Sequence, residues 1–193
     1  MISQRLTDAT ESRLVSMSRS GDREAFGELV RRYQDRLFNS VVQILRCRND
    51  AEDIVQDAFV QAYINLASFR GKSSFYTWLY RITINLAFSC GRKRRAAISV
   101  ELSRDAMGNE PFDTSDSPSD RMEREEQATQ LQQALASLSE EHRTVLILRG
   151  VEGFDYETIG EVLNLNPGTV RSRIHRARTT LRQRLSEENL CGV

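Results

Sequence analysis

Apolar residues recur at spacings of three and four along most of this chain, a pattern that predicts an all-helical protein. The first clear helix follows Asp22, which can cap it, and ends near Arg46. Its apolar face comprises Phe26, Leu29, Val30, Tyr33, Leu37, Val41, Ile44 and Leu45. Arg31, Arg32 and Arg36 lie on the other side and are interpreted as a solvated face. Residues 1–21 lack a clear start signal and are predicted to form an arm or a weak helix.

A second helix is predicted to open at Asn49 or Asp50, where an acidic first turn suits the positive end of the helix dipole. Its buried stripe comprises Ile54, Val55, Ala58, Phe59, Ala62, Tyr63 and Leu66. Asp53, Gln56 and Asp57 fall outside this stripe. They are compatible with a solvated face, with an acidic face that docks a protein, or with paired carboxylates for a metal or acid–base chemistry.

A metal site inside a helical bundle requires Glu-x-x-His ligands, and no histidine precedes His142. The sequence also lacks the phosphate-binding pattern GxxxxGK[ST]. Cys47, Cys90 and Cys191 lie far apart and are predicted to be free thiols. We therefore expect no zinc site, no ATP hydrolysis and no cofactor, and a metal site is the least favoured interpretation of Asp53 and Asp57.

Residues 69–95 combine an aromatic cluster with a basic run. The aromatic residues are Phe69, Phe75, Tyr76, Trp78, Tyr80 and Phe88, and the basic residues are Arg92, Lys93, Arg94 and Arg95. Aromatic faces beside cations suit unstacked bases, and each stacked base contributes roughly 1–3 kcal/mol. The helical spacing of Trp78, Leu79, Ile82 and Leu86 equally predicts a buried face on a third helix, from about Ser74 to Arg94. Phe69, Tyr76 and Asn85 are then expected to be more exposed.

Residues 96–127 have no sustained period and include Gly108, Pro111 and Pro118, so they predict a flexible linker. The formal net charge of zero hides an uneven distribution. Residues 1–95 carry 16 basic and 10 acidic side chains, residues 96–127 carry 3 and 9, and residues 128–193 carry 8 and 8. The linker is therefore acidic and the part before it is basic.

Helical spacing resumes after the linker. Leu131, Leu135 and Leu138 are predicted to lie on one helix, and Ser139 is predicted to cap the next, which ends at a break over residues 150–154. Val145, Leu146 and Leu148 are expected to point inward.

A helix-turn-helix is predicted over residues 156–185. Its first helix runs from Tyr156 to Leu163, a turn follows, and Pro167 opens the second helix. Ile159 and Val162 are expected to face Val170 and Ile174, and the apolar stripe then continues through Ala177, Leu181 and Leu185. Residues 166–184 contain six arginines and no acid. They fit either a solvated cationic helix or a recognition helix in the major groove, where arginines bind guanine edges and phosphates.

No apolar run approaches the roughly 18 residues of a membrane span, and the N-terminal residues have no apolar signal core. The sequence therefore predicts a cytoplasmic protein without membrane insertion.

Three stretches resemble one known family: DAEDIVQDAFVQAY, FRGKSSFYTWLYRITINLA and LNPGTVRSRIHRAR. They are similar, in this order, to the bacterial RNA polymerase sigma factors of the extracytoplasmic-function group. The resemblance covers residues 20–95 and 128–186. It implies a three-helix sigma-two domain at 22–95, an acidic linker at 96–127, a sigma-four helix-turn-helix domain at 128–186 and a tail at 187–193.

The resemblance also implies roles and partners. Polymerase would supply the catalytic chemistry, so the chain itself would have no catalytic residues and no bound metal. Core RNA polymerase would be bound through its β′ clamp helices and its β flap, promoter DNA would be the second partner, and an anti-sigma factor is an expected third. The residues implied for the β′ clamp helices are Asp53, Gln56 and Asp57. A pocket near Phe69 and Asn85 would capture a flipped base of the minus-ten element, with Lys72, Ser74 and Tyr76 on the loop beside it. Arg92, Lys93, Arg94 and Arg95 would follow phosphates.

In the sigma-four domain, the resemblance assigns base reading in the minus-thirty-five element to Arg171, Ser172, His175 and Arg176. Thr169, Arg173 and Arg178 would contact phosphate or position the helix. His175 departs from the aromatic residue most often expected there. Two other classes compete with this interpretation: a helix-turn-helix regulator that acts without polymerase, and a helical enzyme that uses Asp53 and Asp57 with a divalent metal.

Overall fold

A computed structural model describes residue 6 and residues 9–98 and 128–190 of the 193-residue chain, without the side chains of 92–98 and 187–190. All regular elements in these ranges are helical, as the sequence pattern predicts. The chain divides into two compact units, one built mainly on the residues before the linker and one mainly on those after it.

Helices α1 (Glu11–Arg19), α2 (Arg23–Leu45), α3 (Arg48–Ile64) and α4 (Phe75–Ile98) form the first unit, with a short 3-10 turn at Leu66–Ser68. α2 packs against α1 and α3, and α3 packs against α4. Three helices were expected over residues 22–95, and α1 shows that the segment before them, predicted to be an arm or a weak helix, contains a helix. It is held in place because Leu14 and Val15 are buried, and burial of large apolar side chains stabilises each by about 1.5–3 kcal/mol.

The ends of α2 and α3 follow from local hydrogen bonds. The Asp22 carboxylate accepts from the backbone N–H groups of Glu24 (2.9 Å) and Ala25 (3.1 Å), so it caps α2 as predicted. Arg46 ends α2 in the left-handed conformation, with φ of 59°. α3 begins earlier than predicted, since Cys47 is its N-cap residue and its carbonyl accepts from Ala51 N at 3.0 Å. α4 continues beyond the predicted end near Arg94.

The arginines of α2 are not merely solvated. Glu28 is buried, and its carboxylate accepts from Arg31 Nη2 at 2.9 Å and from Arg32 Nε at 3.1 Å. The hydrogen bond from Arg31 is the main cause that holds the pKa of Glu28 below its ordinary value. The Arg36 guanidinium lies 4.6 Å from the centre of the Tyr76 ring.

In the C-terminal part of the chain, residues 128–136 form α5, followed by α6 (Glu140–Gly150), α7 (Tyr156–Leu163) and α8 (Pro167–Leu190). α6 packs against α8. Ser139 caps α6 as predicted, accepting from His142 N at 3.3 Å. Val145, Ile147 and Leu148 of α6 are buried, as are Val170, Ile174 and Ala177 of α8.

Some expectations for this part were wrong. Leu138 was expected on the same helix as Leu131 and Leu135, but α5 ends at residue 136 and Leu138 lies beyond it. Leu138 is nevertheless buried, as is Ala134 of α5, whereas Leu131 is exposed. Leu146 is only half-buried, and Ile147 takes the inward position beside Val145. The backbone of α8 reaches Leu190, so it extends into the stretch expected to be a tail.

None of the described helices is both long enough and apolar enough to cross a bilayer.

Candidate protein and nucleic-acid interfaces

The outward face of α3 presents a mixed acidic and apolar stripe. Asp53, Gln56 and Asp57 are exposed, as the sequence predicted. Val60 and Ile64 continue the same stripe at helical spacing, with exposed fractions of 55% and 66%. Sequence reasoning missed these two residues, although both fall outside the predicted buried stripe. We name these five residues the α3 stripe.

The inward face of α3 anchors this helix firmly. Its buried residues are Ala51, Ile54, Val55, Ala58, Phe59 and Ala62. Tyr63 was expected to be buried but is 42% exposed. Its ring meets the edge of Phe26 at a centroid distance of 4.9 Å, which leaves the rest of the ring in solvent. Within the described residues, no group of three or more His, Cys, Asp or Glu side chains could hold a metal ion.

The loop of residues 69–74 joins the 3-10 turn to α4. Gly71 has φ of 68°, a conformation that other residues rarely adopt, and Arg70 and Lys72 on either side are exposed. Ser74 ends the loop, where its hydroxyl oxygen accepts from Thr77 N at 3.0 Å and so caps α4. The 69–74 loop therefore presents polar groups to solvent between two packed ends.

The aromatic cluster lies beneath this loop rather than outside it. Phe69 is only 8% exposed, since its ring packs 5.2 Å from Trp78 and 6.1 Å from Phe75. Tyr76 is only 5% exposed, because it packs 5.0 Å from Tyr33 beneath the Arg36 guanidinium. The expected exposure of Phe69 and Tyr76 was therefore wrong, and Trp78 is buried as the core interpretation predicted.

Other predicted nucleic-acid residues lie farther along α4. Asn85 is exposed as expected, and a rise of 1.5 Å per residue puts it about 15 Å along the axis from Phe75. Residues 92–95 belong to the helical backbone of α4, and the side chains of this basic run lie outside the described residues.

A carboxylate from α1 reaches the first turn of α4. Phe75 N donates to Glu11 Oε1 at 3.0 Å, and the Tyr33 hydroxyl donates to Glu11 Oε2. Burial first, and the hydrogen bond to Glu11 second, raise the pKa of Tyr33 above its ordinary value. Sequence reasoning did not find Glu11, since a lone acid in a weakly patterned segment carries no signal of a partner 64 residues away.

The first helix of the helix-turn-helix has the predicted bounds, the second begins at Pro167 as predicted, and side-chain caps fix both starts. Asp155 Oδ1 accepts from Thr158 N at 2.7 Å, and this bond holds the pKa of Asp155 below its ordinary value. Asn164 adopts φ of 54° in the turn. Asn166 Oδ1 accepts from Thr169 N at 3.0 Å at the start of α8, so Thr169 takes part in the cap.

α8 presents one cationic face. Arg171, Ser172, His175 and Arg176 are all exposed, and their spacing brings them to one side of the helix. The Arg171 guanidinium lies 5.8 Å from the centre of the Tyr156 ring. The buried side of α8 carries Val170, Ile174 and Ala177, whereas Leu181 and Leu185 are only half-buried.

The remaining arginines of α8 differ from one another. Arg178 is exposed. Arg173 is half-buried, and its guanidinium forms an ion pair of 3.2 Å with Glu141 of α6. Arg173 therefore holds α8 against α6.

Comparison with known proteins matches both regions of the chain. Residues 29–97 match the family described as sigma-70 region 2, and residues 128–181 match the family described as sigma-70, region 4. The chain is 40% identical to the RNA polymerase sigma-H factor of Pseudomonas aeruginosa, across 91% of this chain and 94% of that protein. It is 38% identical to the ECF RNA polymerase sigma-E factor of Escherichia coli, across 93% of this chain and 95% of that protein.

Two solved structures have a fold similar to that of this chain. The sigma factor RpoE in complex with the anti-sigma factor NepR, from Bartonella quintana, superimposes with a TM-score of 0.70 at 26% identity, across 83% of this chain and 96% of that one. CnrH in complex with the cytosolic domain of CnrY superimposes with a TM-score of 0.67 at 28% identity, across 92% and 97%.

The two matched regions define a sigma-70-type initiation factor. The chain belongs to the extracytoplasmic-function group of RNA polymerase sigma factors. It binds core RNA polymerase and directs transcription from promoters, and it is not itself an enzyme. A regulator that acts without polymerase and a metal-dependent enzyme are thereby excluded.

Proposed function

We propose a division of labour among the described surfaces of this sigma factor. The α3 stripe binds core polymerase, the 69–74 loop and α4 melt the minus-ten element and capture an unpaired base, and α8 reads the minus-thirty-five element. The domains are residues 22–95 and 128–186, joined by the acidic linker of 96–127. The observation that carries this proposal is the outward α3 stripe, whose packed inner face holds a large exposed patch in a fixed orientation.

The chemistry of the α3 stripe fits a protein partner. Val60 and Ile64 are large aliphatic side chains exposed one turn apart, next to Asp53 and Asp57 on the same stripe. Apolar contacts at the centre of an interface supply affinity, and charges around them select the partner and speed encounter. We assign this stripe to the β′ clamp helices, with basic residues of the clamp facing the two aspartates. The β flap is the expected contact of the sigma-four domain.

The minus-ten assignment rests on the loop and its support. Lys72 and Ser74 are exposed on the 69–74 loop, and Asn85 is exposed farther along α4. Because Phe69 and Tyr76 are buried against other rings, they act chiefly as the floor of the pocket. Arg92 to Arg95 contact phosphates. The free energy of unpairing is then offset by stacking and by contacts in the pocket.

The minus-thirty-five assignment rests on the cationic face of α8. Arg171, Ser172, His175 and Arg176 reach base edges in the major groove, and each bidentate arginine contact with guanine discriminates by about 1–3 kcal/mol. Arg178 contacts phosphate, whereas Arg173 and Thr169 hold α8 in position through Glu141 and the Asn166 cap.

An anti-sigma factor is the proposed regulator. The RpoE relative was solved with an anti-sigma factor bound. A protein that covers the α3 stripe of this chain would compete with polymerase, because two proteins cannot occupy the same surface at once. The site of action is the cytoplasm, where bacterial polymerase and promoter DNA meet.

The test is reconstitution with core polymerase, which separates binding from opening. Asp53→Ala/Asp57→Ala is expected to lose core binding in a pull-down. Phe69→Ala/Asn85→Ala is expected to bind core but to fail in promoter opening. The matched control Glu24→Ala/Asp35→Ala removes two exposed acids from α2 and should behave as wild type. Equal losses for both acidic double variants would refute the assignment of the α3 stripe.

A further inference from the structure

Helix α1 touches both ends of the 69–74 loop. It packs against the 3-10 turn at Leu66–Ser68, which precedes the loop, and against α4, which follows it. None of the roles implied for the sigma-two domain uses α1. Its packing nevertheless links α1 to the elements on both sides of the loop.

The contact with α4 is made through a charge-assisted hydrogen bond. The first backbone N–H groups of a helix have no partner within that helix, and negative charge is favourable beside them. Ser74 satisfies Thr77 N from within the loop, at 3.0 Å. Phe75 N is satisfied instead by Glu11 Oε1, at 3.0 Å, from a different helix. Glu11 therefore fixes the first residue after the loop to α1.

The other oxygen of Glu11 ties the same point to α2. The Tyr33 hydroxyl donates to Glu11 Oε2, and the Tyr33 ring packs against Phe75 (6.1 Å) and Tyr76 (5.0 Å). Since the pKa of Tyr33 is raised, the hydroxyl keeps its proton and remains a donor. The Glu11 carboxylate thus joins α1, α2 and the start of α4 beneath the loop.

We infer that Glu11 is a positioning residue for minus-ten recognition: its carboxylate holds the C-terminal end of the 69–74 loop so that exposed groups of the loop meet the unpaired base. This inference deepens the proposed function and rests on it. Glu11 itself does not contact DNA. Removing the Glu11 carboxylate should therefore weaken the binding of single-stranded DNA. It should not weaken the binding of core polymerase, which uses α3.

The charge of Glu11 and its role as an acceptor predict opposite effects on DNA binding. Removing a negative charge near a phosphate backbone strengthens affinity, whereas releasing the loop weakens it. Glu11→Ala removes both the charge and the acceptor. Glu11→Gln removes the charge and one of the two acceptor oxygens. Its amide oxygen can still accept from Phe75 N, and its amide N–H can donate to the Tyr33 hydroxyl oxygen instead of accepting from it. The pair of variants therefore separates positioning from electrostatics.

The experiment uses holoenzyme reconstituted from core polymerase and the full chain. The probe is a fluorescent single strand that carries the minus-ten sequence selected by wild-type holoenzyme from a random pool, with a scrambled strand for comparison. Glu11→Ala is expected to raise the Kd for the selected strand roughly tenfold, which corresponds to about 1.4 kcal/mol. Glu11→Gln should stay within roughly threefold of wild type, and Tyr33→Phe, which keeps the ring, should lie between them. Glu24→Ala on α2 is the matched control and should leave the Kd unchanged.

Core binding and the thermal unfolding midpoint are measured on the same variants. The inference is overturned if Glu11→Ala binds the selected strand as tightly as wild type. It is also overturned if Glu11→Ala weakens core binding by the same factor as it weakens binding of the selected strand. A general loss of structure then explains both effects. If wild type itself does not discriminate between the selected and scrambled strands, base capture by the sigma-two domain fails, and Glu11 has no such role to position. The two failures are thus distinct.

Discussion

The two regions that we propose for DNA recognition are built in opposite ways. α8 presents its base-reading candidates as exposed side chains on one helical face, and the buried residues stay on the other face. The 69–74 loop instead lies over buried aromatic rings, and a carboxylate from a distant helix fixes its end. The difference fits the two targets. A duplex groove accepts a rigid helix, whereas an unpaired base needs a shaped, supported pocket.

The largest expected effect comes from removing the support beneath the loop. Trp78→Ala deletes the ring that packs against both Phe69 and Phe75. The expected cost is about 3–5 kcal/mol in the free energy of unfolding of the first unit, since the ring is almost fully buried. Urea denaturation measures this cost. Unchanged stability would mean that the aromatic cluster does not support the loop.

A smaller and purely functional effect is expected on α8. Arg171→Ala should weaken binding to the minus-thirty-five duplex by about 1–3 kcal/mol, because an exposed guanidinium makes base contacts but little packing. The measurement is a fluorescence anisotropy titration of holoenzyme with duplex DNA of selected sequence. The free energy of unfolding of Arg171→Ala should equal that of wild type. A loss of stability in this variant would mean that Arg171, like the aromatic cluster, also supports the fold.

The buried Glu28 predicts a pH dependence confined to the first unit. The folded pKa of this carboxyl is lowered, so its contribution to stability is present above the pKa of about 4.3 expected in the unfolded chain. That contribution is lost as pH falls through the lower folded pKa. Glu28→Gln should lower the free energy of unfolding by about 1 kcal/mol at pH 7. The expected loss is small because the Arg31 side chain is 59% exposed and solvent screens its ion pair with Glu28.

The cost of Glu28→Gln should shrink as the pH is lowered from 5 to 3, because the wild-type carboxyl then becomes protonated and also loses its charge. Chemical denaturation of wild type and variant across this range gives the difference. A difference that stays constant with pH would contradict the ion-pair explanation.

The smallest expected effect concerns the contact between α6 and α8. Glu141→Gln breaks an ion pair whose carboxylate is 64% exposed, so its cost to stability should be about 0–1 kcal/mol. Duplex affinity should hold or rise slightly, since Arg173 is freed for phosphate. Arg173→Ala tested in parallel should weaken duplex binding less than Arg171→Ala does. An equal loss of duplex affinity in the two variants would mean that Arg173 contacts DNA directly.

The sequence predicted α8 and its turn well because every signal there is local. Pro167 marks the start of α8, and the apolar spacing predicts the burial of Val170, Ile174 and Ala177. The spacing was less accurate toward the end of α8, where Leu181 and Leu185 are only half-buried. The α3 stripe was predicted in part. The acids stood out by charge, whereas Val60 and Ile64 fall outside the predicted buried stripe but carry no charge that marks an interface.

The first unit was harder because its support is not local. Exposure of Phe69 and Tyr76 was inferred from their positions off the apolar stripe, but a second layer of rings on Tyr33 and Trp78 covers them. The pairing of Glu11 with Phe75 depends on how α1 packs, which no spacing within either segment encodes. Helical periodicity predicts the buried face of one helix. It does not predict which side chain of another helix binds the backbone at the end of that helix.

The division of DNA recognition between two regions can be tested in one titration set. Holoenzymes carrying Phe69→Ala/Asn85→Ala or Arg171→Ala/Arg176→Ala are each titrated with a selected minus-ten single strand and a selected minus-thirty-five duplex. The predicted result is a crossed pattern, in which the first variant loses only the single strand and the second loses only the duplex. A variant that loses both, or a minus-ten variant that keeps the single strand, would contradict the division.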